Sequence, residues 1–162
     1  MLQGLAPVVD PCTRLVVLGS FPSAASLAAQ QYYGHPRNHF WRLLSALWDE
    51  DLVALAYPGR LAAIARRGLG LWDVYARCER EGSLDSAIRA PEPNDLAELA
   101  RRAPALRAIA HNGAESARSR RLSGALGVEV HTLPSTSPAN AAWSFERKLA
   151  AWSAVFARHG VR

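Results

Sequence analysis

Apolar positions along the chain follow two rhythms. Four short runs, Arg14–Leu18, Leu69–Val74, Leu106–His111 and Val128–Leu133, are dense in Leu, Val, Ile and Ala; the first, third and fourth stop at Gly19, Asn112-Gly113 and Pro134, and the second follows a Gly-containing turn. Brief apolar runs closed by turn residues are the pattern of strands buried on both faces. Between them, apolar residues recur at helical spacing. Phe40, Leu43, Leu44 and Leu47 do so within His39–Trp48, and Leu61, Ile64 and Ala65 within Gly59–Arg67. Further helices are predicted over Asp95–Arg102 with Asn94 as cap, over Ala114–Leu122, and over Ala142–His159. The last turns Trp143, Leu149, Trp152 and Phe156 inward and stops at Gly160. Strands alternating with helices predict an α/β fold whose parallel sheet is covered on both faces. Polar Glu79–Asn94, with Gly82, Pro91 and Pro93, is expected to form one extended loop. With no internal repeat or long linker, residues 1–162 read as a single domain.

Composition narrows the class. Apolar residues make up 49% and charged residues 20%, which is globular rather than disordered or fibrous. No stretch approaches the ~18 apolar residues of a membrane span. Met1–Asp10 carries no Lys or Arg, so no charged-then-apolar leader is expected and the protein is predicted to be cytoplasmic. Cys12 and Cys78 are too few for a disulfide scaffold, a four-thiolate cluster or a Cys-rich zinc site. The net charge of +5 rests on 19 basic residues, of which Lys148 is the single lysine. Guanidinium groups suit phosphate, because each donates two parallel hydrogen bonds and stays charged. The trio Arg118, Arg120 and Arg121 is the candidate phosphate-facing patch, with a solvated helix face as the competing reading.

In open α/β sheets, ligands bind beyond the carboxyl ends of the strands. That rule selects four loops: Gly19-Ser20-Phe21-Pro22-Ser23, Trp72-Asp73, Asn112-Gly113, and Leu133 to Asn140 with Ser135 and Ser137 inside it. Each is rich in hydroxyl, amide or turn residues, whose O–H and backbone N–H groups suit anions. Ser, Asn and Pro also cap helices and make turns, so one such loop alone carries little weight; four at one rim point to a polar site. A fifth segment, Gln30–Trp41, concentrates aromatic, imidazole and amide groups, among them Tyr33, His35 and Asn38. Aromatic rings can stack on nucleobases and an amide can hold a base edge or a water. Phe40 and Trp41 fit core packing better, and Asn38 competes as a cap for the helix beginning at His39.

Together these pieces resemble the uracil-DNA glycosylase superfamily, and most of all its hypoxanthine (deoxyinosine) DNA glycosylase branch. The matching segments are Gly-Ser-Phe-Pro-Ser (19–23), Tyr-Tyr-Gly-His-Pro-Arg-Asn-His-Phe-Trp (32–41), Gly-Leu-Trp-Asp-Val (70–74), His-Asn-Gly-Ala (111–114) and Ser-Thr-Ser-Pro-Ala-Asn (135–140). They occur in the superfamily's order and span nearly the whole chain. The resemblance implies a three-layer α/β/α domain with a central four-stranded parallel sheet. It also implies a monofunctional glycosylase that flips a deaminated base, hypoxanthine and/or uracil, out of DNA and hydrolyses its bond to deoxyribose. It calls for no cofactor and no metal, DNA bearing deaminated bases as partner, a monomer, and no membrane; the expected place of work is a prokaryotic nucleoid.

Residue by residue, the resemblance assigns the catalytic role to Asn38, as the amide that orients the attacking water. Tyr33 becomes the stacking aromatic with Phe21 nearby, and Asp73 and Asn112 hold the base. Ser20, Ser23, His35, Ser135, Ser137 and Asn140 are left to grip the DNA strand. This sequence departs from the family's pattern in two places. Most branches carry Asp, Asn or Glu where Phe21 stands, and Phe21 has no hydrogen-bonding side chain. Many also place a Leu wedge where this chain has Ala139, Asn140 and Ala141, which suits substrates that are single-stranded or already mispaired. Lys148, far along the chain from these loops, is not expected to form a Schiff base, so hydrolysis without strand cleavage is predicted. One alternative is a non-catalytic module that binds damaged or single-stranded DNA on the same fold. The other, a serine ester hydrolase using His111 or His131, lacks a Gly-x-Ser-x-Gly elbow.

Overall fold

The computed structural model describes every residue from Met1 to Arg162. Four strands form the central sheet: β2 (Leu15–Gly19), β3 (Leu69–Asp73), β6 (Ala108–Asn112) and β7 (Glu129–Leu133). They pair in parallel in the order β3-β2-β6-β7. All five residues of β2 and of β3 are buried, as the continuous apolar runs require of strands covered on both faces. β3 and β7 are the two edge strands; unlike β3, β7 is open, and only Leu133 of its five residues is buried.

The helices are α1 (Ala24–Ala29), α2 (Phe40–Trp48), α3 (Tyr57–Arg66), α4 (Ala97–Arg102), α5 (Ala114–Ala117), α6 (Arg120–Gly124) and α7 (Phe145–Arg158). Phe40, Leu43 and Leu44 of α2 meet Trp152 and Phe156 of α7 in one hydrophobic core with the strands. Ser144 caps α7 by accepting from Arg147 N, so this helix starts three residues after the predicted Ala142 and leaves Trp143 in the preceding loop.

Three expectations are corrected. The stretch Glu79–Asn94 is not one loop. A second, antiparallel sheet joins β1 (Leu2–Gln3), β4 (Tyr75–Glu79) and β5 (Arg89–Pro93), with a short 3-10 turn at Asp85–Ala87. These strands are polar and half exposed, so no apolar run announces them. The single helix Ala114–Leu122 is two short ones, broken at Arg118-Ser119. Asn94 does not cap α4: its Nδ2 donates to the Asp73 carbonyl, and Asp95 Oδ1 accepts from Ala97 N instead.

Candidate active site

Chain order β2, β3, β6, β7 against spatial order β3-β2-β6-β7 means the connection reverses direction beside β2. At the carboxyl ends there, a cleft of about 710 Å³ opens, lined by Gly19 to Ser23, Asp73, Asn112 and Gly113 together with Leu133 to Ser137. It lies where a doubly wound sheet places its ligand. Of the eleven candidate site residues, ten line it: Ser20, Phe21, Ser23, Tyr33, Asn38, Asp73, Asn112, Ser135, Ser137 and Asn140. His35 does not; its Nδ1 accepts from Arg37 N and shapes the turn. Arg118, Arg120 and Arg121 are also absent from the lining, and Arg118 pairs with Glu115.

Asp73, the last residue of β3, is the least ordinary group in the cleft. It is buried, and its Oδ2 makes no hydrogen bond within the protein. Burial, and then the Asp85 carboxylate, push its pKa up to about 7, against a smaller opposing pull from Arg80. Its register partner is Gly19, and a Cβ at position 19 would overlap Asp73 Oδ1. Glycine there makes room for a carboxyl group to lie over the strand end. A charged group without donors is costly in a dry site, so burial favours the neutral acid.

Asn38 does two things at once. Its Oδ1 accepts from Phe40 N at 2.9 Å, which caps α2, while its side chain lines the cleft and its Nδ2 makes no hydrogen bond within the protein. An amide oxygen has two lone pairs, so the capped oxygen can still accept from a water. The segment is pinned from the far side by His39 N donating to Thr136 O at 3.0 Å.

Tyr33 has φ of 54° and stacks on Phe40, with centroids 4.0 Å apart, so only its other face is open to a ligand. Burial, with Asp73 adding to it, raises its pKa and keeps the phenol neutral. Asn112 donates to Tyr33 Oη and Thr136 Oγ1 and accepts from Thr136 N. Its amide is thus occupied in fastening Tyr33 to the last loop. Gly113, at φ 95°, lets Ser135 pack where a side chain would collide.

The serines divide similarly. Ser20 Oγ donates to Asp85 at 2.6 Å, and Ser23 caps α1. Ser135 and Ser137 accept from Ser137 N and Ala139 N, which leaves both hydroxyl hydrogens for a ligand. Asn140 Nδ2 holds the Ser135 carbonyl. Phe21 is buried beneath the Arg80 guanidinium, 5.3 Å from its ring.

Sequence reasoning missed three contributors. Ser83 to Ser86 line the cleft from the stretch read as a bare loop, and Leu84 among them is 57% exposed. Trp143, read as core-facing, lines the cleft with Arg147 stacked over its ring at 4.1 Å. Lys148, remote in sequence, is buried with its Nζ 3.3 Å from His39 Nδ1, in a basic recess beside the cleft that also holds Arg37 and Arg42. The signal for Leu84 was a lone apolar residue in a polar tract; for Lys148 there was none.

The rivals in the ester-hydrolase reading are placed elsewhere. His111 is buried between Ser116 and Ser123, bonded through both ring nitrogens, and burial lowers its pKa to about 4. His131 faces His159 and Glu129. Neither histidine lines the cleft.

A parallel sheet with a switch-point cleft, stacked aromatics, free hydroxyls and one buried acid defines a small-domain α/β fold with a polar site at its strand ends. Comparison with known proteins makes the class specific. Residues 6–156 match the model of the uracil DNA glycosylase superfamily, and the chain belongs to that superfamily. It is similar to a protein named hypoxanthine DNA glycosylase from Methanosarcina barkeri, at 40% identity over 96% of this chain and 98% of the relative. A hypoxanthine DNA glycosylase of Methanosarcina acetivorans is 41% identical over 97% and 98%. The fold matches the solution NMR structure of a Methanosarcina acetivorans protein provisionally named a uracil DNA glycosylase, with a TM-score of 0.87, 40% identity and 96% of both chains covered.

Proposed function

We propose that the protein is a monofunctional DNA glycosylase that removes hypoxanthine, and by the same cleft related deaminated bases, from DNA. The single observation that carries this reading is the meeting of Asn38, Tyr33 and the partnerless Asp73 oxygen in one strand-end cleft. The full-length similarity to proteins named hypoxanthine DNA glycosylase supports the substrate.

The flipped base stacks on the open face of Tyr33. The protonated carboxyl of Asp73 donates to the purine carbonyl oxygen. As the glycosidic bond lengthens, negative charge moves onto the departing base, and that hydrogen bond strengthens in step; this is electrostatic stabilisation of the oxyanion-hole kind. Asn38 accepts from a water and aims it at the anomeric carbon. An amide is a weak base, so it orients rather than deprotonates, which suffices for an oxocarbenium-like sugar. Ser135 and Ser137 offer their hydroxyls to the flanking phosphates. Leu84, exposed at the rim, is the apolar side chain placed to fill the gap left in the base stack, in place of the missing Leu in the last loop.

The test is base release from oligonucleotides bearing deoxyinosine, deoxyuridine or deoxyxanthosine, paired and unpaired, followed by alkaline cleavage. Release of hypoxanthine is expected, and Asn38→Ala should slow it ~10²–10⁴-fold while DNA binding persists. Full release by that variant would sink the assignment of Asn38; binding without release in the unaltered protein would favour the non-catalytic module. Borohydride should trap no adduct, since Lys148 lines the neighbouring recess rather than the cleft.

A further inference from the structure

We propose that Glu129, His131 and His159 form a binding site for one divalent transition-metal ion of the zinc type, at the end of the sheet away from the cleft. The three atoms involved are Glu129 Oε2, His131 Nε2 and His159 Nε2. Their separations are 2.8 Å between the imidazoles, 3.4 Å from Glu129 to His131 and 3.2 Å from Glu129 to His159. Ligands held ~2.0–2.2 Å from a tetrahedral zinc ion lie about 3.3 Å apart. An ion about 2.1 Å from all three atoms therefore sits about 1 Å off their plane, capping the triangle and leaving its fourth position for water.

The donor set selects the ion. Two imidazoles and one carboxylate suit zinc and its neighbours, whereas calcium and magnesium prefer oxygen donors throughout. Two imidazole nitrogens that face each other at 2.8 Å can share one proton at most, and a cation between them satisfies both lone pairs at once. His159 is buried, so its imidazole is held in place on the inner side of the triangle, while Glu129 lies on the exposed side. The Arg158 guanidinium grips Glu129 with two bonds, at 2.7 and 2.8 Å, and fixes the carboxylate as an outer-sphere partner does. Arg158, with Arg107 also near His159, adds positive charge, so binding is weaker than in a closed four-ligand site.

The placement gives the ion a task. Glu129 and His131 alternate along β7, the exposed edge strand, and His159 follows the last turn of α7. The ion clips the edge strand to the chain's final helix, and α7 begins beside the cleft at Ser144. None of the three ligands lines the cleft, so the chemistry proposed there does not pass through this ion.

The test is a calorimetric zinc titration of the full chain after chelator treatment, with melting curves in parallel. One ion per chain is expected, with the melting temperature raised by about 5–10 °C at a hundredfold excess over Kd. His131→Gln and Glu129→Gln, both at accessible positions, should each abolish the titration and the shift, and magnesium should give neither. Cobalt should bind with the visible absorption of a tetrahedral centre. Absence of zinc uptake, or equal uptake by both variants, would overturn the proposal. Because these readouts do not involve DNA, they stand apart from the base-release assay.

Discussion

Asp73 and His111 occupy comparable places, near the ends of strands separated only by β2, and both are buried and titratable. Their surroundings differ. The Ser116 hydroxyl donates to the Leu18 carbonyl, so it accepts from His111 Nδ1–H; in the neutral ring the Ser123 hydroxyl, which also lies 3.1 Å from the Arg120 carbonyl, donates to the bare Nε2 at 2.8 Å. Every polar atom of the ring is matched, and burial keeps it neutral. Asp73 has an oxygen matched by nothing in the protein and a pKa near 7, and it looks into the cleft. A buried polar group with complete partners belongs to the architecture; one left incomplete at a cleft wall is held ready for a ligand.

The largest effect that separates the two concerns catalysis. Asp73→Ala should lower single-turnover release of hypoxanthine by ~10²–10³-fold, because a donor to developing charge is lost. The same change should leave stability equal or higher, since it removes an unpaired buried acid. Unchanged release would end the case for Asp73. The hydrogen-bonding isostere Asp73→Asn should retain part of the rate but lose the fall in rate that is expected of the unaltered protein above about pH 7.

His111→Ala should do the reverse. It strands two buried hydroxyls and opens a cavity, so a loss of ~2–4 kcal/mol is expected in urea unfolding. The folded fraction should excise at nearly the normal rate. A large kinetic defect with normal stability would reverse the comparison.

The pH dependence of stability sharpens it further. Asp73 titrates near 7 when folded and near 3.8 when unfolded, so the folded chain holds the extra proton and stability falls as pH rises between those values. His111 titrates near 4 folded and 6.5 unfolded, so the unfolded chain holds the extra proton and stability rises from about pH 4 to 6.5. The two slopes oppose each other over most of this window. Asp73→Asn should expose the rising one in denaturation midpoints measured from pH 4 to 7, and a His111 variant the falling one.

The smallest expected effect is at the rim. Leu84→Ala should reduce release from paired DNA by ~3–10-fold and from unpaired DNA little, as loss of one apolar contact of ~1 kcal/mol implies. Equal losses on both substrates would assign Leu84 to general binding.

How much of this was legible beforehand depends on the kind of residue. The four parallel strands were readable within two residues of their ends, because burial on both faces demands continuous apolar runs with turn residues at their limits. Eight cleft residues were readable for a related reason: a parallel sheet gathers the loops after its strands at one rim, so chain position alone brings them together, whereas Tyr33 and Asn38, between α1 and α2, were reached through the family resemblance. The antiparallel sheet was not, since strands such as Arg89–Pro93 are stabilised by pairing with a neighbour and not by an apolar face of their own.

Chain order and the apolar rhythm therefore determined the architecture and the rim at which a ligand sits. Only the tertiary structure decided what each polar side chain does there. Asn112 spends its amide on Tyr33 and Thr136, Ser20 gives its hydrogen to Asp85, and Asp73 is left with a bare oxygen. It also brought Lys148 against His39 and His131 against His159, pairs separated by 109 and 28 positions. Hydrogen bonding and desolvation act over a few ångströms in space, and a linear pattern carries that distance only for neighbours within one element.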